Sequence, residues 1–355
     1  MPSWNWNGAR WWKVDFHTHT PASVDYGKGP DQARLRARTP REWLLDFMRV
    51  GIDCAAITDH NSGAWIDQLK EACAELTIEQ PEGYRDLHLF PGVEISVYGG
   101  IHLLALFDSS ATNSDIDTLL GAVGFNGTKG RSDSVTTKSF SDVVTEIHNA
   151  GGIAVPAHVD DSSGLLTVLE GTTLRQAIDC QHVIAMEVVD PAWEKPALYT
   201  DQRRGWTEVL GSDSHHPSDR AGPHVPGSHF TWVKMGQPSL EGLRLALLDG
   251  ALSVQRADEQ RNDANAHASL VIESVEVSQA RYMGRSKPYL VRLSPWLNSV
   301  IGGRGTGKST LVEFLRTVLR REEELPPSLK GDFEKYRRAY VGRNDDGLLT
   351  SDSQF

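Results

Sequence analysis

Cysteine is scarce and scattered: Cys54, Cys73 and Cys180 are the three in 355 residues. Thiols so far apart make neither a disulfide framework nor a Cys-x-x-Cys site, so any metal must be held by histidine and carboxylate. Long apolar runs are also missing. No stretch approaches the roughly 20 residues of a membrane span, and the start, Met1-Pro2-Ser3-Trp4-Asn5-Trp6, lacks the basic and apolar regions of a signal peptide. A cytoplasmic protein without membrane association is expected. Positive charge is the third shortage: 36 Lys and Arg face 47 Asp and Glu, a net charge of −11. That argues against a surface that binds nucleic acid everywhere, although an acidic total can hide a basic strip. Lys28, Arg34, Arg36, Arg38 and Arg41 fall within 28–41, with Asp31 inside the run and Glu42 just after it. Lys129, Arg131 and Lys138 lie in a Gly/Ser/Thr-rich stretch, 121–139, that reads as a long loop. Solvated loop charge and contact with a polyanion are both open for these strips.

What the chain does have is histidine, and two stand one residue apart at the end of a short apolar run, Val14-Asp15-Phe16-His17-Thr18-His19. On a β-strand, residues i and i+2 share a face, and imidazoles suit zinc, manganese and iron. Taken alone, the pair is equally a solvated loop feature. The length allows one large α/β domain plus a smaller one. From 11 to about 251, short β-like runs at 12–16, 54–58, 87–90, 101–107, 153–156, 185–189 and 207–211 alternate with helix-like stretches such as 40–50, 64–75 and 239–249. This is the grammar of a βα-repeating fold. A polar stretch, 256–268, then reads as a linker between a domain of 1–255 and another of 269–355. In the second, 270–277 and 289–293 alternate like antiparallel strands. The run 297–301 leads into a Gly-rich loop, and 310–319 is patterned as an amphipathic helix.

Further histidines and acids fall beside the apolar runs. Asp59 and His60 follow the run 54–58, Glu94 sits in Phe90-Pro91-Gly92-Val93-Glu94, His158 ends 153–158, and Asp213 and His215 follow 209–212. His102 stands at the start of its own run. In a parallel βα-barrel the C-terminal strand ends converge on one rim, so ligands dispersed in sequence can meet there.

The motifs His17-Thr18-His19, Thr58-Asp59-His60, Gly92-Val93-Glu94, Ala157-His158 and Gly211-Ser212-Asp213-Ser214-His215 resemble the polymerase and histidinol phosphatase (PHP) superfamily over residues 11–250. The resemblance implies a distorted (β/α)7 barrel that holds two or three divalent metals (Mn, Zn or Fe) and hydrolyses phosphate esters. It implies that His17, His19, Glu94 and Asp213 hold one metal. Glu94 would bridge to a second held by His102 and His158, and His60, His215 and Asp25 would hold a third. His102 matches the branch resembling TrpH-type phosphoesterases, and Asp25 occupies a position that is His or Asp among relatives. Glu94, Asp213 and His158 are the residues expected at the reacting atoms, and Asp59 is expected to orient a neighbour. One departure from the family pattern is Val159-Asp160-Asp161, where many relatives have proline. His88, His148, His182, His224, His229 and His267 match no motif and read as core or surface residues, while His216 adjoins a ligand and stays outside the set. Metals neutralise phosphoryl oxygens and lower the pKa of bound water from about 15.7 toward about 7, so no Ser or Cys nucleophile is needed.

Gly302-Gly303-Arg304-Gly305-Thr306-Gly307-Lys308-Ser309 satisfies G-x-x-x-x-G-K-[ST], after an apolar run and before an expected helix. In such a loop Gly302, Gly305 and Gly307 let backbone N–H groups face phosphates. Lys308 reaches the β/γ-phosphates and the Ser309 hydroxyl ligates magnesium, with Thr310 opening the helix. ATP and Mg are therefore the expected ligands of a partial P-loop NTPase module. It resembles the beginning of an ABC/SMC-like head, and the combination resembles TrlF-type PHP-ATPase proteins. No later apolar strand ending in Asp-Glu follows, so ATP hydrolysis by this chain alone is not expected. The leading expectation is a nuclease acting on DNA or RNA, linked to a nucleotide-binding module in repair or anti-phage defence, as a homo-oligomer or with an ATPase partner chain. A phosphomonoesterase for a small metabolite or nucleotide, and a nucleotide-gated assembly module with an inactive barrel, are the alternatives.

Overall fold

The computed structural model describes residues 7–202, 205–260 and 262–355. Two compact units are present, Ala9–Asn265 and a second built on 266–355. The larger contains, in chain order, β1 (Arg10–Thr18), α1 (Gln32–Arg36), α2 (Pro40–Arg49), β2 (Cys54–Ile57), α3 (Ile66–Glu79), β3 (His88–Val97), β4 (Ile101–Leu106), α4 (Asn113–Ala122) and α5 (Phe140–Asn149). There follow β5 (Ile153–Pro156), α6 (Leu165–Val168), α7 (Gly171–Ile178), β6 (Ala185–Glu187), α8 (Ala197–Asp201), β7 (Thr207–Val209), β8 (Thr231–Met235), α9 (Leu240–Asp249) and β9 (Val254–Arg256).

Local chemistry sets several boundaries. Thr39 caps α2 in a reciprocal box with Glu42, with Pro40 at the first helical position. Trp43, Leu44, Phe47 and Met48, three or four residues apart, are the buried face of α2. In the strands the period is two: Cys54 and Ala56 join Val14, Phe16, Phe90, Leu104 and Val209 in an inner core. Ala55 and Ile57 point instead to the outer layer with Leu44, Phe47, Ile66 and Val93.

A curled seven-stranded sheet runs β5-β4-β3-β2-β1-β8-β9, and β6 and β7 form a separate parallel pair. An Ala154–Val183 bridge sets the approach to β6 beside β5, and Ser214, just past β7, bridges Thr18 at the end of β1. The succession β1 to β7 is thereby drawn round into a barrel-like ring. The (β/α)7 alternation is distorted, and the strand directions show where. Only β1–β2, β2–β3 and β6–β7 are parallel, whereas β4 runs antiparallel to both β3 and β5. The reason is the connection. β3 and β4 are joined by Tyr98-Gly99-Gly100 with no helix, and Gly99 and Gly100 adopt φ +96° and +80°, which suits a tight hairpin. β8 and β9, not expected from the sequence, extend the sheet past the N-terminal half of β1. The stretch read as a linker begins with Arg256 inside β9, and Asn265 exchanges two 2.8 Å hydrogen bonds with the Trp11 backbone.

In the second unit β10 (Ser274–Val277) pairs antiparallel with β11 (Tyr289–Arg292), and α10 (Lys308–Val318) and α11 (Pro327–Phe333) follow. Val275, Val277, Ala280, Leu311 and Phe314 form its small core. The apolar run 297–301 is not a strand, contrary to the context expected for a P-loop: Leu297 and Ile301 are 90% and 93% exposed. β10 and β11 pair only with each other among the described residues, and 297–301 joins neither of them. No helix is long and apolar enough to cross a membrane among the described residues.

Candidate metal centre

Successive strands of the ring deliver one or two polar side chains to the same rim. β1 brings His17 and His19, the segment after β2 brings His60, and β3 brings Glu94. His158 follows β5, Glu187 ends β6, and Asp213 and His215 follow β7. His102 stands near the start of β4, and the antiparallel course of that strand explains it. The beginning of β4 lies beside the end of β3, with His102 opposite Ser96.

The register of β1 against β2 shifts between Asp15 and Thr18, and such an irregularity re-aims side chains and frees ladder donors. The buried Asp15 carboxylate accepts the His17 N–H at 3.3 Å and the Ser212 N–H at 2.8 Å. Asp213 and His158 hold positive φ angles of 46° and 26°, strain of the kind that surrounding structure must enforce.

Hydrogen-bond partners decide which ring nitrogens face inward. His17 Nδ1 lies 2.8 Å from Glu187 Oε2. Ser23 donates to Asp59 at 2.7 Å, so its hydroxyl is left to accept from His19 Nδ1 at 3.0 Å. His215 Nδ1 donates to the Asp213 carbonyl at 2.9 Å. In each ring the Nε2 lone pair is thereby turned inward, the arrangement that orients imidazole ligands. His17 and His19 meet Nε2 to Nε2 at 3.1 Å.

Glu94, 1% exposed, is the hub. Its Oε1 lies 2.7 Å from His102 Nδ1, 3.3 Å from His158 Nε2 and 3.5 Å from His17 Nε2. Its Oε2 lies 2.5 Å from His60 Nδ1 and 3.6 Å from His19 Nε2. Asp213 Oδ1 is 3.1 Å from His19 Nε2 and 3.5 Å from His17 Nε2. Asp25 bridges His60 Nε2 at 3.3 Å and His215 Nε2 at 3.5 Å. All nine residues singled out as ligands from the sequence therefore stand in one connected cluster. The trios close enough to share an ion are His17–His19–Asp213, His17–Glu94–His158, His60–Glu94–His102 and His19–His60–His215. His102 and His158 thus fall in different trios, although both touch Glu94 Oε1.

The donor set fits divalent cations by a test independent of motif. Asp25 Oδ1, His60 Nδ1, Glu94 Oε2, His102 Nδ1 and His215 Nε2 are buried atoms that lie close to other members of the cluster but make no directed hydrogen bond. Buried polar atoms are seldom left so, since each costs about 1–3 kcal/mol, and here they converge on one small volume. Electrostatics agree. Burial alone would raise the Glu94 pKa, but His102, His60 and His17 hold it well below its ordinary value. Burial, then His215 and His60, push His19 well below the usual imidazole range. His60 is carried up to about 10, against burial, by Glu94 and Asp25. Protons and cations compete for the same lone pairs here.

Glu187 was not found by sequence reasoning. It is buried and accepts from His17 Nδ1, the His158 N–H at 3.0 Å and the Gly211 N–H at 3.1 Å. Its signal was present, an acidic residue within an apolar run, as Glu94 is. His224, read as a bystander, has Nδ1 3.3 Å from Asp213 Oδ2. His88 packs edge-on against Phe90, and His148 stacks on His182.

The basic strips are largely committed to internal pairs. Arg38 binds Asp46 and Arg41 binds Glu79, both at 2.7 Å, and Arg34 lies 3.3 Å from Asp31. Lys129 and Lys138 pair with Asp117 and Glu146 at 2.5 and 2.6 Å, and Arg131 pairs with Asp133. In the second unit α10 begins at Lys308, which also holds Ser309 and Thr310. Lys308 Nζ donates to the Gly302 and Gly303 carbonyls at 2.6 and 2.7 Å, and Gly305 and Gly307 have positive φ.

No family model and no curated protein sequence matches this chain. Among solved structures it resembles the lesion-specific endonuclease PfuEndoQ from Pyrococcus furiosus, with a TM-score of 0.51 and 11% identity over 97% of this chain and 95% of that one. Endonuclease Q in complex with a 27-mer duplex carrying an abasic lesion at the active site gives 0.46 and 16%, over 67% of this chain and 56% of that chain. A protein from Bifidobacterium adolescentis assigned as a metal-dependent phosphoesterase gives 0.42 and 20%, over 67% and 96%. At these identities the likeness is one of fold: the chain is a mixed α/β protein whose curled half-barrel sheet is shared with PfuEndoQ.

Proposed function

We propose that this chain is a metal-dependent phosphoesterase of the PHP type that cleaves phosphodiesters in nucleic acid. The observation that carries the reading is the convergence of six histidines, Glu94, Asp25 and Asp213 on one rim, with five of their ligand atoms buried and without a directed hydrogen bond. The fold shared with a lesion-specific endonuclease supports the choice of a diester over a monoester.

His17, His19 and Asp213 would hold one cation, and Glu94, His102, His158, His60, His215 and Asp25 would hold the others. When bound, such cations neutralise the phosphoryl oxygens and make water nucleophilic near neutral pH. The chain's own part is to keep the ligand nitrogens turned inward, through Glu187 and Ser23–Asp59. It also keeps Glu94 ionised and walls the inner face of the site with apolar side chains. Glu94, Asp213 and His158 act closest to the reacting atoms.

We further propose that the loop Gly302, Gly305, Gly307, Lys308, Ser309 and Thr310 takes ATP with Mg. Gly305 and Gly307 in left-handed conformation and Lys308 at the start of an eleven-residue helix support this. The pairing with the barrel resembles TrlF-type proteins and motivates a regulated nuclease of repair or defence, acting as a homo-oligomer or with an ATPase partner chain.

The test is metal analysis of the purified protein, followed by incubation with manganese, zinc or iron and labelled single-stranded DNA, RNA or p-nitrophenyl phosphate. Metal-dependent cleavage of the polynucleotide, lost together with bound metal in His17→Ala/His19→Ala, is the expected outcome. Full metal content in that double variant would remove the assignment.

A further inference from the structure

The cluster is most open to solvent at two of its carboxylates. Glu94 and His17 are 1% exposed, whereas the side chains of Asp213 and Asp25 are 31% and 37% exposed. The mouth therefore lies at these two carboxylates, and the segments that carry them onward form its rim. Beyond Asp25, the Gly27 N–H binds the His215 carbonyl at 2.7 Å and the Lys28 N–H binds the Asp25 carbonyl at 3.0 Å. Lys28 is thereby set at the edge with its ammonium exposed. Beyond Asp213, the loop 216–224 returns to the site. The His215 N–H binds the His224 carbonyl at 3.0 Å, and His224 Nδ1 sits 3.3 Å from Asp213 Oδ2.

Arg220 is in this loop, exposed, with its guanidinium 2.7 Å from Nδ1 of His216, the residue after His215. Most arginines of the 28–41 strip are tied to carboxylates. Among the described residues, no carboxylate lies within ion-pair distance of Arg220 or of Lys28, so their donors are open to an anion. In a chain of net charge −11, two cations without a carboxylate partner, on the segments that run on from the two exposed carboxylates, suit a ligand whose negative charge extends past the reacting centre.

We infer that Arg220, on the loop between His215 and His224, and Lys28, three residues past Asp25, form a subsite for a phosphodiester that is not the one cleaved. The substrate is then a polynucleotide strand rather than a small phosphate monoester. This rests on the phosphoesterase reading above and deepens it. Arg220 is a binding residue, and its planar fork, more than its charge alone, holds the phosphate.

The experiment compares Arg220→Gln, Arg220→Lys and a control, Arg175→Gln on the outer helix α7, by kcat/KM on a single-stranded oligonucleotide and on p-nitrophenyl phosphate. The ratio of the two should fall about tenfold in Arg220→Gln, less in Arg220→Lys, and hold in the control. In parallel, fluorescence anisotropy of a labelled single-stranded oligonucleotide should show weaker binding by Arg220→Gln. Its log–log salt slope should be shallower by about one counterion. An unchanged ratio, or equal loss on both substrates, would overturn the subsite while leaving the phosphoesterase intact. If the wild-type protein cleaves neither ester with any metal, the phosphoesterase reading fails. Anisotropy then decides the subsite alone, and unchanged affinity in Arg220→Gln overturns it.

Discussion

Replacing Glu187 with alanine removes one carboxylate that serves three buried donors: His17 Nδ1 at 2.8 Å, the His158 N–H at 3.0 Å and the Gly211 N–H at 3.1 Å. His17 is also where burial, which lowers its pKa, is outweighed by Glu187, Asp213 and Glu94, so its Nδ1 proton is held in place. Without Glu187 that ring is free to rotate or change tautomer, and its Nε2 lone pair no longer faces His19 and Asp213. Truncating one partner of a buried charged pair costs roughly 3–5 kcal/mol, against a typical domain stability of about 5–15 kcal/mol. The variant should therefore fold with a much lower denaturant midpoint. Removing an outer partner of a ligating histidine typically costs about 10–100-fold in metal affinity, and loss in this range is expected. Chemical denaturation gives the first quantity, and competition with a chromophoric chelator gives the second. Glu187→Gln separates orientation from charge. Its amide oxygen can still accept on one side, while its NH2 opposes a donor on the other, so an intermediate loss is expected. Metal affinity within twofold of wild type in Glu187→Ala would refute the positioning argument.

Two further predictions concern the scaffold. A Cβ on residue 211 would lie 2.6 Å from His17 Cβ and backbone N and 2.9 Å from Glu187 Oε1. Gly211→Ala should therefore cost about 1–3 kcal/mol by overpacking and lower bound metal, and a wild-type Tm with full metal content would contradict this. Arg256 is nearly fully buried, donates to the Val188 carbonyl and pairs with Asp258 at 2.7 Å. Burial would raise the Asp258 pKa, but the Arg256 guanidinium outweighs it and holds the carboxyl below its ordinary value. A depressed carboxylate stabilises above its unfolded pKa, near 3.9, and loses that contribution as pH falls through the folded value. Asp258→Asn should then be less stable than wild type at neutral pH, with the difference closing below about pH 4. Parallel stability curves across that window would count against the pair.

The ligand types were legible in sequence because metal chemistry is discrete: His17, His19, His60, His158, Asp213 and His215 sit next to apolar runs that can only be strands. Strand existence was legible for the same reason, since buried runs such as 54–57 and 153–156 have few alternatives. His102 was found only by resemblance, and its place became physical once β4 proved antiparallel. β8 was missed because Thr231-Trp232-Val233-Lys234-Met235 mixes polar and apolar residues in a short strand that pairs with only the first half of β1. The run 297–301 looked like a strand, but periodicity cannot say whether a ladder partner exists.

The sequence by itself determined which residues could bind cations, that cysteine could not be among them, and that strands and helices would alternate through the larger unit. Only the tertiary structure decided that Glu94 touches five histidines, that Glu187 fixes His17, that Arg38 and Arg41 are spent on internal pairs and that Arg220 and Lys28 are not. Local patterns are set by period and propensity within a few residues. Which lone pair faces which ion depends on contacts across 170 positions and more, such as Glu187 with His17, and these exist only when the sheet has curled.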